Sequence, residues 1–449
     1  MPSMLYRSRK TTLLGRQTFG IVMASLLTIL GQSALATELT TDEKALISAI
    51  QKRQPAALSL LEQSVRINSG TMNLPGVRAV GALYEKELTA LGFACRWVEM
   101  PKTMRRAGHL IAERKGSRGK RILLIGHLDT VFEPDSPVVP WSRQGQQVFG
   151  QGVADMKGGN LVIIEALRAL SAIGALDGAQ IQVVFSGDEE LVGEPIAVAR
   201  AELIAAAKRS DVALAFEISV KNSQGQDTGT IGRRAAGGFV LEVAGEQGHS
   251  STIFGKGGYG AVFEAARIID SFRKQLIEPD LTFNPALILA GTEIEVAQTS
   301  GSAAGKDNVI PRTAVIKSDL RYLTAEQRER TQQKMRDIVA DHLPGTKASI
   351  QFDEAYPPMA PTAGNQALLA LYSTASEQAG LGAVPALPPG QRGAGDVQFV
   401  APYVDSLDGL GVNGAGSHSP DEVLDIPSIE KSTIRAALVI YRLSKVELK

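Results

Sequence analysis

Three short, uninterrupted apolar runs lie between stretches of helical periodicity: residues 121–126 (RILLIG), 180–186 (QIQVVFS) and 211–217 (DVALAFE). A strand that is apolar on both faces has to be covered on both faces, which places it inside a parallel sheet. Neighbouring segments supply the cover. Residues 42–66 and 77–92 read as helices before the first run, and 161–173 reads as an amphipathic helix before the second. This alternation predicts an α/β fold, a mostly parallel sheet covered by helices. In such sheets ligands gather beyond the carboxyl ends of the strands. His127, Glu189, Glu190 and Glu217 all fall there.

The texture changes after about residue 230. Residues 238–243 (GFVLEV) alternate like a half-buried strand, followed by a helix at about 259–276 and strands near 286–297 and 309–322. A polar helix at 324–342 and a strand at 348–354 complete a βαββαβ order. That order fits a ferredoxin-like α+β layer, one face of its sheet under two helices. Pro357, Pro358 and Pro361 break it off, and helices near 365–380 and 428–445 return to the first layer. The expected organisation is a first domain in two parts, 37–232 and 356–449, with a smaller domain, 233–355, inserted between them. Two domains also suit a chain of 449 residues, too long for one ordinary core.

Arg7, Arg9, Lys10 and Arg16 precede an apolar run at 19–30 and then Ala34-Leu35-Ala36. A basic head, a run too short to span a bilayer and an A-x-A site predict a signal peptide over 1–36, hence a periplasmic or secreted protein. An uncleaved anchor is the alternative; after cleavage no stable membrane insertion is expected. The whole chain has 47 basic and 47 acidic residues. A formal net charge of zero gives no reason to expect a nucleic-acid partner. Cys95 is the only cysteine, so an intrachain disulfide and a thiolate zinc site are both excluded.

Five segments carry metal-binding side chains: GHLDT (126–130), GVADMKGGN (152–160), SGDEE (186–190), AFE (215–217) and SHS (417–419). In His-x-Asp at a strand end, both side chains point the same way, so Asp129 is placed to fix the tautomer of His127. Asp155, in a glycine-rich loop, is a candidate bridge between two cations about 3.5–4 Å apart. Asp188, Glu189 and Glu190 repel one another unless cations neutralise them. If that stretch is extended, adjacent glutamates face opposite ways, one toward a metal and one toward a substrate water. This division suits metal-assisted hydrolysis, which needs a Lewis acid and a proton-accepting base. A serine hydrolase is not expected, because no Gly-x-Ser-x-Gly elbow is present.

These segments resemble those of the M20 zinc peptidases, most closely the glutamate carboxypeptidase branch, in GHLDTVF, GQGVADMKGGN, SGDEELVG, LAFE and GSHSPDE. The likeness runs from about residue 44 to the C-terminus. It implies two Zn²⁺ ions, with Asp155 bridging, His127 and Glu217 on one, and Glu190 and His418 on the other. Glu189 is then the general base, and the Asp155–Met156 peptide is expected to be cis. His249 resembles a lid histidine that reaches across a homodimer, formed through the lid, to polarise the scissile carbonyl.

One departure bears on the substrate. Thr282, before Phe283-Asn284, stands where glutamate-releasing relatives have an arginine. Asn308, Arg312, Arg321 and Arg392 remain as candidate substrate contacts. The reading is an exopeptidase that releases the C-terminal residue of a small peptide or N-acyl amino acid. An N-acyl-amino-acid amidohydrolase or aminopeptidase on the same scaffold is the alternative, and a non-catalytic binding protein a distant one.

Overall fold

A computed structural model describes residues 38–137 and 139–446; the expected signal segment, 1–36, lies outside the described residues. The central layer is a six-stranded sheet in the order Ala94–Val98, His109–Arg114, Ala179–Ser186, Arg118–His127, Val212–Ala215, Ser406–Leu407. The last four run parallel to one another and the first two are antiparallel additions at one edge. Those two strands are too polar to read as buried runs, so the sequence does not announce them.

Alternate residues of each strand face different cores. Ile122 and Leu124 join the cluster that includes Leu46, Ile163, Leu167, Leu438 and Val439. Leu123 and Ile125 face the opposite cluster, with Leu203, Ala207, Val397 and Val400. One face therefore lies under the helices Thr41–Val65, Gly158–Ala172 and Ile426–Leu443, the other under shorter helices including Ala201–Lys208. The expected two-sided cover is present. Thr40 caps the first helix in a reciprocal capping box with Glu43, which satisfies donors the helix start leaves free.

The second layer is an antiparallel sheet in the order Thr346–Tyr356, Ala236–Gly245, Thr313–Arg321, Thr282–Gly291. Helices Gly260–Gln275 and Ala325–Ala340 cover one face over a core of Phe239, Leu241, Ile268, Phe272, Ile316 and Met335. The single strand expected near 286–297 is instead two elements, Thr282–Gly291 and a hairpin of Glu293–Val296 with Gly301–Ala304. Gly291 breaks it: a Cβ there would sit 2.4 Å from the Ala304 carbonyl oxygen, so the chain turns where the hairpin folds back. The described residues cluster as one compact unit, although each layer has its own core. Among them, no helix is long and apolar enough to cross a membrane.

Candidate metal centre

His127 ends the central strand, and its ring is fixed from behind. Nδ1 lies 3.0 Å from the Asp129 backbone carbonyl and 3.5 Å from Asp129 Oδ1. A carbonyl only accepts, so the network assigns the proton to Nδ1 and leaves the Nε2 lone pair facing forward. Nε2 stands 3.3 Å from Asp155 Oδ1 and 3.8 Å from Glu217 Oε1. His418 meets Asp155 from the other side, its Nε2 3.4 Å from Asp155 Oδ2 and 3.1 Å from Glu190 Oε2. Each oxygen of Asp155 thus faces a different imidazole.

Ligand atoms converge within 4.8 Å in three groups: His127–Asp155–Glu217, Asp155–Glu190–His418 and His127–Glu189–Glu190. The first group is largely enclosed; the second opens to solvent through His418, whose side chain is 57% exposed. Glu190 Oε1 is buried with no hydrogen-bond partner, which is costly for a carboxylate oxygen unless a cation meets it.

Protein charges alone make the same point. Burial pushes Glu217 up to about 7, with Asp155 adding to the effect. Burial likewise raises Glu189 well above the carboxylate range, and Glu217, Asp396 and Glu190 reinforce it against His127. Hydrogen bonds to Asp155 and Glu190 raise His418 to about 10. Crowded acids that raise each other and draw protons onto nearby imidazoles form a site matched to positive ions. The residues fit the metal pair that the sequence implies.

The Asp188-Glu189-Glu190 segment corrects the expectation of an extended chain. The residues after Ser186 form a bend and turn, so Glu189 and Glu190 face the same centre. Asp129 causes this: its carboxylate accepts the backbone N–H groups of Glu189 (3.0 Å) and Glu190 (3.1 Å) together with the Thr71 hydroxyl (2.6 Å). Burial alone would raise Asp129, but His127, Thr71 and the Glu189 N–H hold it below the usual range. Asp188 turns away and is neutralised by buried Arg200, 2.5 Å off, which also lies 2.7 Å from Asp396. Three acids at a strand end are therefore not three ligands.

The loop carrying Asp155 is built on glycine where geometry requires it. Gly152 has φ +68°, and a Cβ there would meet Thr130 at 2.4 Å. At Gly159 a Cβ would lie 2.0 Å from the Phe216 carbonyl oxygen, so the helix start approaches the Glu217 segment only without a side chain. The Asp155–Met156 peptide is cis, as the resemblance implies.

The expected substrate contacts divide. Arg392 lies next to the Glu217 segment: its side chain is 6% exposed, Nη1 donates to the Ile218 carbonyl (3.0 Å), and Nε is buried without a partner. It shares Asp408 with Arg233, whose Nε is 2.7 Å from that carboxylate. Arg321 is engaged by Asp319 at 3.2 Å, and Arg312 donates to the Thr292 carbonyl at 2.6 Å. His249 is exposed, bonded to Ser251, and outside the three converging groups of its own chain. Asn308 is beside it, accepting from Ser250 N at 2.9 Å.

Several residues at the site escape sequence reasoning. Arg234, just before the second layer's first strand, donates from Nη1 to Thr282 Oγ1 (3.0 Å). Tyr356, at the end of its strand, donates its hydroxyl to the Glu189 carbonyl (3.2 Å), and Asn160 holds the His127 carbonyl (2.6 Å). Only folding brings these distant residues together, Tyr356 reaching Glu189 from the second layer.

Residues 123–442 match the model of the peptidase family M20/M25/M40. The chain belongs to this family. It is 28% identical over 421 residues to carboxypeptidase G2 of Pseudomonas sp. (strain RS-16), covering 89% of this chain and 92% of that enzyme. A succinyl-diaminopimelate desuccinylase of Acidiphilium cryptum is 26% identical over 396 residues, 85% of this chain and 95% of its own length. Among solved structures, the YXEP protein of Bacillus subtilis, described as a dinuclear metal-binding M20 peptidase, superposes with a TM-score of 0.59 at 15% identity. That alignment covers 88% of this chain and all of the other (100%). The chain is thus a metal-dependent hydrolase of the M20 class, and the α/β reading of its fold holds.

Proposed function

We propose that this protein is a two-zinc exopeptidase that releases the C-terminal residue of a small peptide or N-acyl amino acid. The observation that carries the reading is the bridging geometry of Asp155, one oxygen toward His127 and the other toward His418, with Glu189 converging on His127 and Glu190. In this reading His127, Asp155 and Glu217 hold one ion, and Asp155, Glu190 and His418 the other. Imidazole and carboxylate ligands suit zinc, and no cysteine is among the converging groups. When bound, such a pair supplies Lewis acidity at the scissile carbonyl and acidifies water. Glu189 takes the proton from the attacking water and delivers it to the leaving amine. Asp129 and Tyr356 fix the backbone from which Glu189 acts.

Arg392 supports a substrate bearing a free carboxylate. It is a buried guanidinium with an unused Nε, beside a carboxylate that already serves Arg233. Charge-assisted pairing of that kind is what an anionic substrate group offers. Thr282 in place of the lid arginine argues against assuming glutamate as the released residue. Similarity to carboxypeptidase G2 favours this reading, and similarity to desuccinylases keeps N-acyl substrates within it. We further propose export through the N-terminal segment, and a homodimer whose lid histidine, His249, completes the site of the second copy. Exposed Phe254 and Phe263, close to His249 in sequence and with ring centroids 5.3 Å apart, support an apolar contact there.

A release assay over dipeptides, N-acyl amino acids and their amides, with zinc measured in the same preparation, tests the proposal. Turnover of free acids over amides, with two zinc equivalents, is the expected result. Equal turnover of amides, or preference for a free amino terminus, would replace it with the amidohydrolase or aminopeptidase reading.

A further inference from the structure

Glu422 follows His418 by four residues and is fully buried (0% exposed), yet it is not among the converging ligands. Its carboxylate accepts three backbone N–H groups from the Asp155 loop: Gly152 N to Oε2 at 2.7 Å, and Ala154 N and Asp155 N to Oε1 at 2.9 Å each. Its own backbone carbonyl accepts Gly150 N at 3.4 Å, and its N–H donates to the Ser419 carbonyl at 3.2 Å. The next buried charge along the loop is Lys157, fully enclosed, whose Nζ donates to the Ile67 carbonyl at 2.9 Å and which feels the charge of Glu422.

One carboxylate thus ties the loop carrying Asp155 to the loop carrying His418. Three donors converging on two oxygens demand an acceptor-only group. A glutamine presents an NH₂ toward at least one N–H, leaving donor against donor in a buried place. Because Oε1 takes the N–H of Asp155 itself, the carboxylate also orients the residue whose side chain bridges the two imidazoles. We propose that Glu422 is a positioning residue for the metal centre, fixing the separation between the Asp155 and His418 loops on which binding of both ions depends. The proposal rests on the reading of Asp155 and His418 as ligands.

Zinc affinity decides it, with Glu422→Gln, Glu422→Ala and Asp155→Asn compared in full-length protein by competition against a chromophoric chelator. Urea unfolding of the metal-free proteins is measured alongside. Partners that orient metal ligands typically cost 10–100-fold in metal affinity when removed. Glu422→Gln is expected to weaken both zinc equivalents by at least about tenfold, within that range, while still unfolding cooperatively without metal. If Asp155→Asn loses both ions but Glu422→Gln binds like the wild type, the positioning role is wrong and the ligand assignment stands. If Asp155→Asn also binds like the wild type, the ligand assignment itself fails. Glu422→Ala weakening zinc no more than Glu422→Gln would agree with a purely geometric role for the carboxylate. A Glu422→Gln protein that stays unfolded with or without zinc would overturn the proposal, since the carboxylate would then hold the fold and not the ligand.

Discussion

Glu189→Gln separates two roles that the geometry allows for one carboxylate. Glu189 belongs to a converging group with His127 and Glu190, so it is placed either to ligate a cation or to act as the base beside one. The substitution is close to isosteric, and the backbone is pinned from both sides by Asp129 (3.0 Å) and Tyr356 (3.2 Å), so the turn should not move. An amide cannot accept the proton of water. Loss of a general base typically lowers turnover by about 10²–10⁴-fold, which corresponds to about 2.7–5.5 kcal/mol of transition-state free energy. Stability should be unchanged or slightly higher, because a neutral amide replaces a buried acid that is crowded by Glu217, Asp396 and Glu190. The assay is kcat on a released-amine substrate, zinc per chain by mass spectrometry and urea unfolding on one preparation. The expected outcome is two zinc equivalents retained with turnover nearly lost. Loss of one equivalent would show that Glu189 is a ligand, and wild-type turnover would remove it from the mechanism.

Arg392→Ala should raise KM for free-carboxylate substrates by about 1.5–3 kcal/mol, the value of a hydrogen bond to a charged group, with little change for the matching amides; parallel kinetics on the two series check it. Chelation should lower the unfolding free energy, since ions that bind only the folded chain then no longer stabilise it. Returning zinc at about 100 times its Kd should restore about 2.7 kcal/mol by mass action, and identical unfolding curves with and without metal would contradict the site. Mixing His249→Ala with Glu189→Gln under verified subunit exchange should recover some activity, because a mixed dimer contains one site with both residues intact. No recovery would confine His249 to its own chain or remove it from catalysis.

Much of this protein was legible along the chain. Strongly apolar runs such as 121–126 specify buried strands whatever they pack against, so the parallel sheet and the position of His127 follow from local pattern. The ligand-bearing segments were readable because imidazoles and acids at strand ends are expensive without a partner. The βαββαβ succession of the second layer followed from its alternating strand and helix patterns, apart from the break at Gly291, where contact with Ala304 decides.

The tertiary structure decided what contacts distant in sequence control. Asp129, 60 and 61 residues before the N–H groups it binds, turns Glu189 and Glu190 to one centre and sends Asp188 to Arg200. Glu422 reaches back 267 residues to accept the Asp155 N–H, and Arg234 bonds Thr282 from 48 residues away. No local signal marks such partners, because a buried carboxylate or guanidinium finds its counter-group only where the sheet and its loops bring it. The sequence alone determined the layers and the candidate ligand types; only packing between distant segments decided which acids converge on one centre, which are neutralised elsewhere, and which carboxylate ties the loops together.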